Sequence, residues 1–226
     1  MKNGFTMSEV LITLGIIGII AAMTLPSIIE HHQKIVTANK LKKFYTIMEQ
    51  AILLEEAKNE NIKYWLPTKE TNFERWFNAH LAPHMEIINT KKVDTKSYQV
   101  VFKDGSGFIG YQTSLSEGNE NYIHIFYCTD KKYCKYNVFD GKHSFLFGIC
   151  KDGRFVTSLC TDNNAGNSSS ESFTREELLK SCKYGNHDNA DVSTPEKRHQ
   201  CARLIQYDGW EIKPDYPWRP AILEKK

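Results

Sequence analysis

Apolar residues fill the chain from Val10 to Ile29, interrupted only by Thr, Ser, Gly and one Pro, and no charge falls between Glu9 and Glu30. About 20 residues of that kind cross a hydrocarbon core of roughly 30 Å as a helix. Beyond Glu30 the composition turns polar through His31, Lys34, Lys40, Lys42 and Lys43, yet a helical period persists in Leu41, Tyr45, Met48 and Ile52. Apolar residues at alternating steps of about four and three predict an amphipathic extension packed on a core. The helix is expected to end near Ala57 to Asn61 after about 50 residues, on the order of 75 Å. His31 and His32 are adjacent, so they point in different directions on a helix and read as solvated side chains rather than a metal pair.

Within the apolar run, Pro26 lacks a backbone donor and clashes with the carbonyl four residues earlier, which predicts a kink near residues 22–26. Gly15, Gly18, Ala21 and Ala22 recur at steps of about three and four, a spacing that lets helices approach closely in lipid. Gly and Ala are also simply common in membrane helices.

After residue 61 the period changes. Residues 64–67 read as a loop and residues 73–77 as a short helix. Runs rich in β-branched and aromatic residues at 97–102, 107–111, 122–127, 144–149 and 154–157 read as strands. Asp-Gly dipeptides at Asp104, Asp140 and Asp152 mark tight turns and favour an antiparallel meander. Residues 162–170 read as an exposed loop. Thr174 followed three positions later by Glu177 predicts a capping box opening a helix through Lys180. The expected fold class is α+β, a long N-terminal helix packed on an antiparallel sheet.

Composition narrows the function. The chain has 41% hydrophobic and 12% aromatic residues and a formal net charge of +2, which points neither to a disordered tail nor to a nucleic-acid partner. A secretory signal would place small residues at a cleavage site after a shorter apolar core. Here Lys2 supplies a basic start, and the plausible cleavage point, Gly4, precedes the apolar run. An ionised carboxylate at the edge of such a run is costly in lipid unless it sits at the interface or finds a partner, so Glu9 needs an explanation.

The order Lys2-Asn3-Gly4 followed by Phe5-Thr6-Met7-Ser8-Glu9-Val10 resembles the signal of type IV pilins and type II secretion pseudopilins. That resemblance implies cleavage after Gly4 by a prepilin peptidase, methylation of Phe5, and an assembly role for Glu9, paired with the Phe5 amine of a neighbouring subunit. Pro26 falls where many members carry a helix-disturbing proline. The stretch from Leu204 to Trp218 also looks like the tail of large prepilin-type proteins. Implied partners are other pilin or pseudopilin subunits, the peptidase, membrane lipid, and an inner-membrane assembly platform served by a separate ATPase. The expected organisation is a leader at 1–4, a transmembrane and filament-core helix at 5–30, its amphipathic extension at 31–61, and a pilin-like globular domain outside the cytoplasm at 62–226.

Six cysteines, Cys128, Cys134, Cys150, Cys160, Cys182 and Cys201, lie beyond the apolar run without a C-x-x-C pair, which suggests disulfides rather than zinc. Fifteen complete pairings are open. Joining neighbours is the preferred set, and the resemblance implies that a Cys182–Cys201 bridge would close a C-terminal loop. No motif for a catalytic nucleophile, metalloprotease helix or phosphate loop occurs, and no cofactor or metal is expected. His124 and His143 carry no assigned role. The alternatives are a minor pilin that binds DNA or a surface, for which Lys131, Lys132, Tyr133, Lys135 and Tyr136 form the one suggestive cluster, and a membrane-anchored enzyme.

Overall fold

The computed structural model describes residues 6–67, 72–94, 97–112, 123–158, 160, 173–184 and 198–218. The chain divides into two compact units, Met1–Val36 and Thr37–Lys226. Helix α1 (Met7–Glu56) contributes to both and runs unbroken through Pro26.

In the first unit the helix is bare. An 18-residue window of α1 reaches a mean hydropathy of 2.2 with none of it buried. Its hydroxyls are satisfied locally: Thr13 donates to the Val10 carbonyl at 3.0 Å, Thr24 to that of Ile20 at 3.0 Å, and Ser27 to that of Thr24 at 2.9 Å. Local satisfaction suits a low-dielectric surrounding, where no water replaces a missing partner.

The second unit is built on a six-stranded antiparallel meander in the order β1-β2-β3-β4-β5-β6. The strands are β1 (Ile87–Lys92), β2 (Ser97–Phe102), β3 (Gly107–Gln112), β4 (Ile123–Cys128), β5 (Ser144–Ile149) and β6 (Phe155–Val156). Turn glycines Gly105 and Gly153 take positive φ of 79° and 90°, a region an L side chain rarely enters, so the Asp-Gly turns end one strand and start the next.

Register sorts the side chains by face. Phe108 lies opposite Tyr127, which lies opposite Phe145, and Ile125 lies opposite Phe147; all point into the main core. The intervening residues Ile109, Phe126 and Leu146 pair across the same strands on the other face. There Phe139 and Cys134, from the connection between β4 and β5, cover them. Both faces are therefore buried, which is why the central strands read as continuous apolar runs instead of alternating with polar residues.

Helix α1 packs on the main face through Leu41, Phe44, Met48, Ala51 and Ile52. Phe44 is the centre of this contact, with its ring 4.4 Å from Tyr127, 5.0 Å from Phe147 and 5.8 Å from Phe108. The expected stripe named Tyr45 in that position. Tyr45 is only half-buried and stacks at the margin on Phe155, 5.4 Å away, because the inward direction falls one residue earlier.

Helix α2 (Phe73–His80) is capped by Asn72, whose side chain accepts from the Arg75 amide, and buries Phe73, Trp76 and Phe77. It reaches the sheet at Gly110, where a Cβ would come within 2.0 Å of the Phe73 ring. Strand β1 escaped the sequence reading because only Ile87 and Ile88 in it are apolar. It is an edge strand with a register shift between Ile87 and Asn89 and with Lys91 and Lys92 exposed, features that discourage pairing with another chain.

Helices α3 (Arg175–Tyr184) and α4 (Cys201–Tyr207) add Leu178, Leu204 and Ile205 to the main core. The capping box at α3 is present: Glu177 accepts from the Thr174 amide at 2.8 Å while its own amide donates to the Thr174 hydroxyl at 3.3 Å. Helix α4 has no strong cap signal in the sequence. It ends in a further Asp-Gly turn at Gly209, with φ 75°.

Truncating Phe44 removes the ring around which five aromatic side chains gather. Phe44→Ala should cost about 3–5 kcal/mol, read from urea unfolding of the detergent-solubilised protein. Tyr45→Ala should cost clearly less, and the reverse ranking would contradict the assignment of the inward face.

Candidate functional site

The candidate site is the start of α1. Gly4 and Phe5 lie outside the described residues, so the site is built from Thr6 onward. Glu9 Oε2 accepts from the Thr6 backbone amide and from the Thr6 hydroxyl, both at 2.8 Å, and the Glu9 amide donates back to Thr6 Oγ1 at 3.3 Å. This is a capping box: Thr6 stands at the N-cap, Glu9 three residues later, and two helix-end donors are satisfied reciprocally. Its signal, T-x-x-E before an apolar run, is the same as at Thr174 and is legible in the sequence once Glu9 is considered as a capping residue. Glu9 Oε1 takes part in none of these bonds. A carboxylate in the first turn also sits at the positive end of the helix dipole.

Behind this cap the helix presents an uninterrupted apolar surface. Leu11, Ile12, Leu14, Ile16, Ile17, Ile19 and Ile20 are all more than half exposed. A Cβ added at Gly15 or Gly18 would meet nothing within 4 Å, so the small residues leave open shallow spots on that surface. Exposed apolar area on this scale has no stable place in water and marks contact with lipid or with other protein.

The cysteines and the tail form a second constellation. The structure joins Cys128 to Cys134, Cys150 to Cys160 and Cys182 to Cys201, with Cα separations of 5.3, 5.4 and 4.6 Å. Beside the last bridge lies Arg198, 3% exposed, a residue for which the sequence offered no signal. Its guanidinium donates to the carbonyls of Cys182 at 2.6 Å, Asp140 at 2.7 Å and Pro217 at 2.6 Å, tying α3, a turn and the tail together. Tyr216 closes the same corner by donating to the Gly141 carbonyl. At the other end of the tail, Arg175 bonds Asp208 at 2.7 and 2.9 Å and Asp215 at 2.7 and 2.8 Å. Arg175 holds the Asp215 carboxyl below the usual carboxylate range by hydrogen bonding to its charged form.

Other titratable groups take structural positions. His124 sits on the outer sheet face between Tyr111 and Phe126, where burial holds its imidazole toward the neutral form. His143 bonds Asp140 at 3.0 Å and stacks 4.2 Å from Tyr133. Sequence reading missed Glu55, which is buried at the end of α1 and accepts from His80 Nδ1 at 3.0 Å, His84 Nε2 at 2.9 Å and the Asn59 amide group at 2.8 Å. Both of its oxygens are occupied, and its three partners come from α1's end, α2 and the turn at 82–84, so it acts as a staple. Among the described residues no group of three His, Cys, Asp or Glu side chains is arranged to hold a metal ion.

Comparison with known proteins divides the chain near residue 26, within the first compact unit. Residues 1–25 match the family model described as the prokaryotic N-terminal methylation motif, the type IV pilin and pseudopilin signal. Residues 27–220 match that of a family of unknown function, DUF6613. No curated protein and no solved structure matches the chain.

The Glu55 staple makes acid stability testable. Its hydrogen bond from His84, followed by that from His80, holds the Glu55 carboxyl below its ordinary value of 4.5. A depressed carboxyl contributes stability that is present above that ordinary value and lost as pH falls through the folded value. Urea midpoints measured from pH 7 down to pH 3 should therefore fall more steeply for the parent chain than for Glu55→Gln. Parallel curves would show that the carboxylate contributes nothing specific.

Proposed function

The chain belongs to the family of unknown function DUF6613, behind a prokaryotic N-terminal methylation motif, and on these premises we propose that it is a structural subunit of a type IV pilus or type II secretion pseudopilus. It is made as a precursor, cut after Gly4 by a prepilin peptidase and methylated at Phe5. The observation that carries this reading is the bare apolar half of α1 directly behind the matched signal. In the precursor that surface lies in the inner membrane as a single span with the globular unit outside the cytoplasm; in the filament it packs against the helices of other subunits.

Glu9 is the assembly residue in this reading. Cleavage after Gly4 leaves Thr6 in place, so the capping box survives processing. Oε1 then accepts from the Phe5 ammonium of a neighbouring subunit, while Oε2 keeps its Thr6 bonds. An isolated buried charge in lipid is expensive, so a protomer whose Glu9 meets no ammonium is disfavoured. The pair fixes axial register more than it adds stability. Pro26 removes one backbone hydrogen bond between the two ends of the apolar run, which allows a kink where the helix exchanges lipid for protein neighbours. The chain performs no chemistry of its own in this role; in the cleavage after Gly4 and the methylation of Phe5 it is the substrate.

Mass spectrometry of the mature protein from its native cell should find methylated Phe5 at the N-terminus, and a chain that begins at Met1 or near Ser27 would remove the basis for the proposal. Glu9→Leu should leave expression and membrane insertion intact while lowering incorporation into filaments about tenfold or more, the loss of one charge-assisted bond. Incorporation equal to the parent in sheared-filament preparations would count against Glu9 as the register residue.

A further inference from the structure

Charge within the globular unit is unevenly placed. At the edge where α1 enters it, Lys40 Nζ donates to the Thr129 carbonyl at 2.7 Å and to that of Asp104 at 3.5 Å, and Lys43 pairs with Asp104 at 2.9 Å. The Lys131 amide donates to the Gly105 carbonyl at 2.8 Å, which brings the connection after β4 against the turn between β2 and β3. Three segments distant in sequence therefore set Lys40, Lys43, Lys103, Lys131 and Lys132 around two carboxylates, Asp104 and Asp130. Asp104 is engaged by Lys43 and by Ser106, and Asp130 by the Lys132 backbone amide at 3.0 Å and its ammonium at 3.6 Å. Lys43, Lys103, Lys131 and Lys132 are exposed, and among the described residues neither Lys103 nor Lys131 has a carboxylate partner. At the far end of α1 the sign reverses, with Glu49, Glu55 and Glu56 in its last turns and Glu60 just beyond.

We infer that this lysine cluster is a docking surface for anionic lipid headgroups, used by the unassembled, membrane-anchored chain. The inference rests on the anchored reading above. Lysines are compact, strongly hydrated point charges suited to a diffuse field of phosphates rather than to one shaped ligand, and clustered lysines next to a membrane span are drawn to anionic surfaces. Lys40 follows Glu30 by ten positions, a span of at most about 36 Å even if fully extended. The bilayer is thus always within reach of the cluster at high effective concentration, whereas a nucleic acid has to arrive from solution. Docking holds the globular unit at the membrane before assembly, and raised ionic strength or transfer into a filament releases it.

The test uses the full chain in lipid nanodiscs of phosphatidylcholine alone or with about one third phosphatidylglycerol, at roughly 0.1 M salt where the screening length is about 10 Å. A short pulse of an amine-acetylating reagent, read residue by residue by mass spectrometry, should label Lys43, Lys103, Lys131 and Lys132 several-fold more slowly in the anionic discs. Lys63 and Lys213 should label alike in both, and roughly 1 M salt should remove the difference. The charge-reversing pair Lys103→Glu and Lys131→Glu, at exposed positions outside the core, should abolish the protection of Lys43 and Lys132. Equal rates in the two lipids would overturn the proposal, as would protection by duplex DNA added to neutral discs without any effect of phosphatidylglycerol. A chain that elutes apart from the discs would overturn the anchored reading and this inference together, whereas a chain held in the discs with unprotected lysines overturns this inference alone.

Discussion

The contact between Phe44 and the sheet makes residues 37–56 of α1 part of the core of the globular unit. Phe44 lies against Phe108, Tyr127 and Phe147 on three neighbouring strands, and the residues on either side of it along the stripe, Leu41 and Met48, are fully buried. A single helix therefore supplies the core of one unit and the bare apolar surface of the other. In the proposed filament, moving its N-terminal half from lipid to protein neighbours requires no change in the packing of residues 37–56. The sequence expresses this division as a change of pattern, from apolar on every side to apolar on one stripe.

Glu9 illustrates how one carboxylate answers a local and an assembly requirement at once. The helix must satisfy its first amides whatever surrounds it, and the Thr6–Glu9 box does so with one oxygen. A carboxylate serving only in the first turn of a helix contributes about 0.3–1 kcal/mol, so its replacement carries a small penalty. The position of Glu9 at the edge of an uncharged run makes replacement costlier in the proposed filament, where the second oxygen faces a positive terminus. The capping bonds also orient the side chain in advance, so less conformational freedom is lost when the partner arrives.

What could be read in advance follows physical kind. Strands β2 to β6 announced themselves through aromatic and β-branched runs, with Asp-Gly turns at three of their four connections, and α3 through its capping box. The strand at 87–92 was silent because an edge strand exposed on both faces has no apolar alternation to display. The choice of Phe44 over Tyr45 depends on where the helix axis lies over the sheet, which adjacent aromatic residues leave undecided. Glu55 and Arg198 were silent for another reason: their partners are two histidines about 25 residues away and three backbone carbonyls, and carbonyls carry no residue signature. The six cysteines, open to fifteen pairings in the sequence, take the preferred set that joins neighbours. The methylation motif was legible because it is a linear pattern, matched at residues 1–25.

The disulfides are all local, spanning 6, 10 and 19 residues. In the chain-entropy picture a bridge acts on the unfolded ensemble, and short loops gain the least. None of the three ties α1 to the sheet. They stiffen instead the connection after β4, the turn between β5 and β6, and the α3–α4 layer, to which Arg175 and Arg198 fasten the tail. The covalent reinforcement thus lies away from the contact between α1 and the sheet, with Cys128, Cys150, Cys182 and Cys201 themselves buried. The bond between helix and sheet is left to apolar packing, assisted by the Lys40 and Lys43 contacts at its edge. Separation of residues 37–56 of α1 from the sheet is therefore opposed by the apolar area that Leu41, Phe44, Met48 and Ile52 bury.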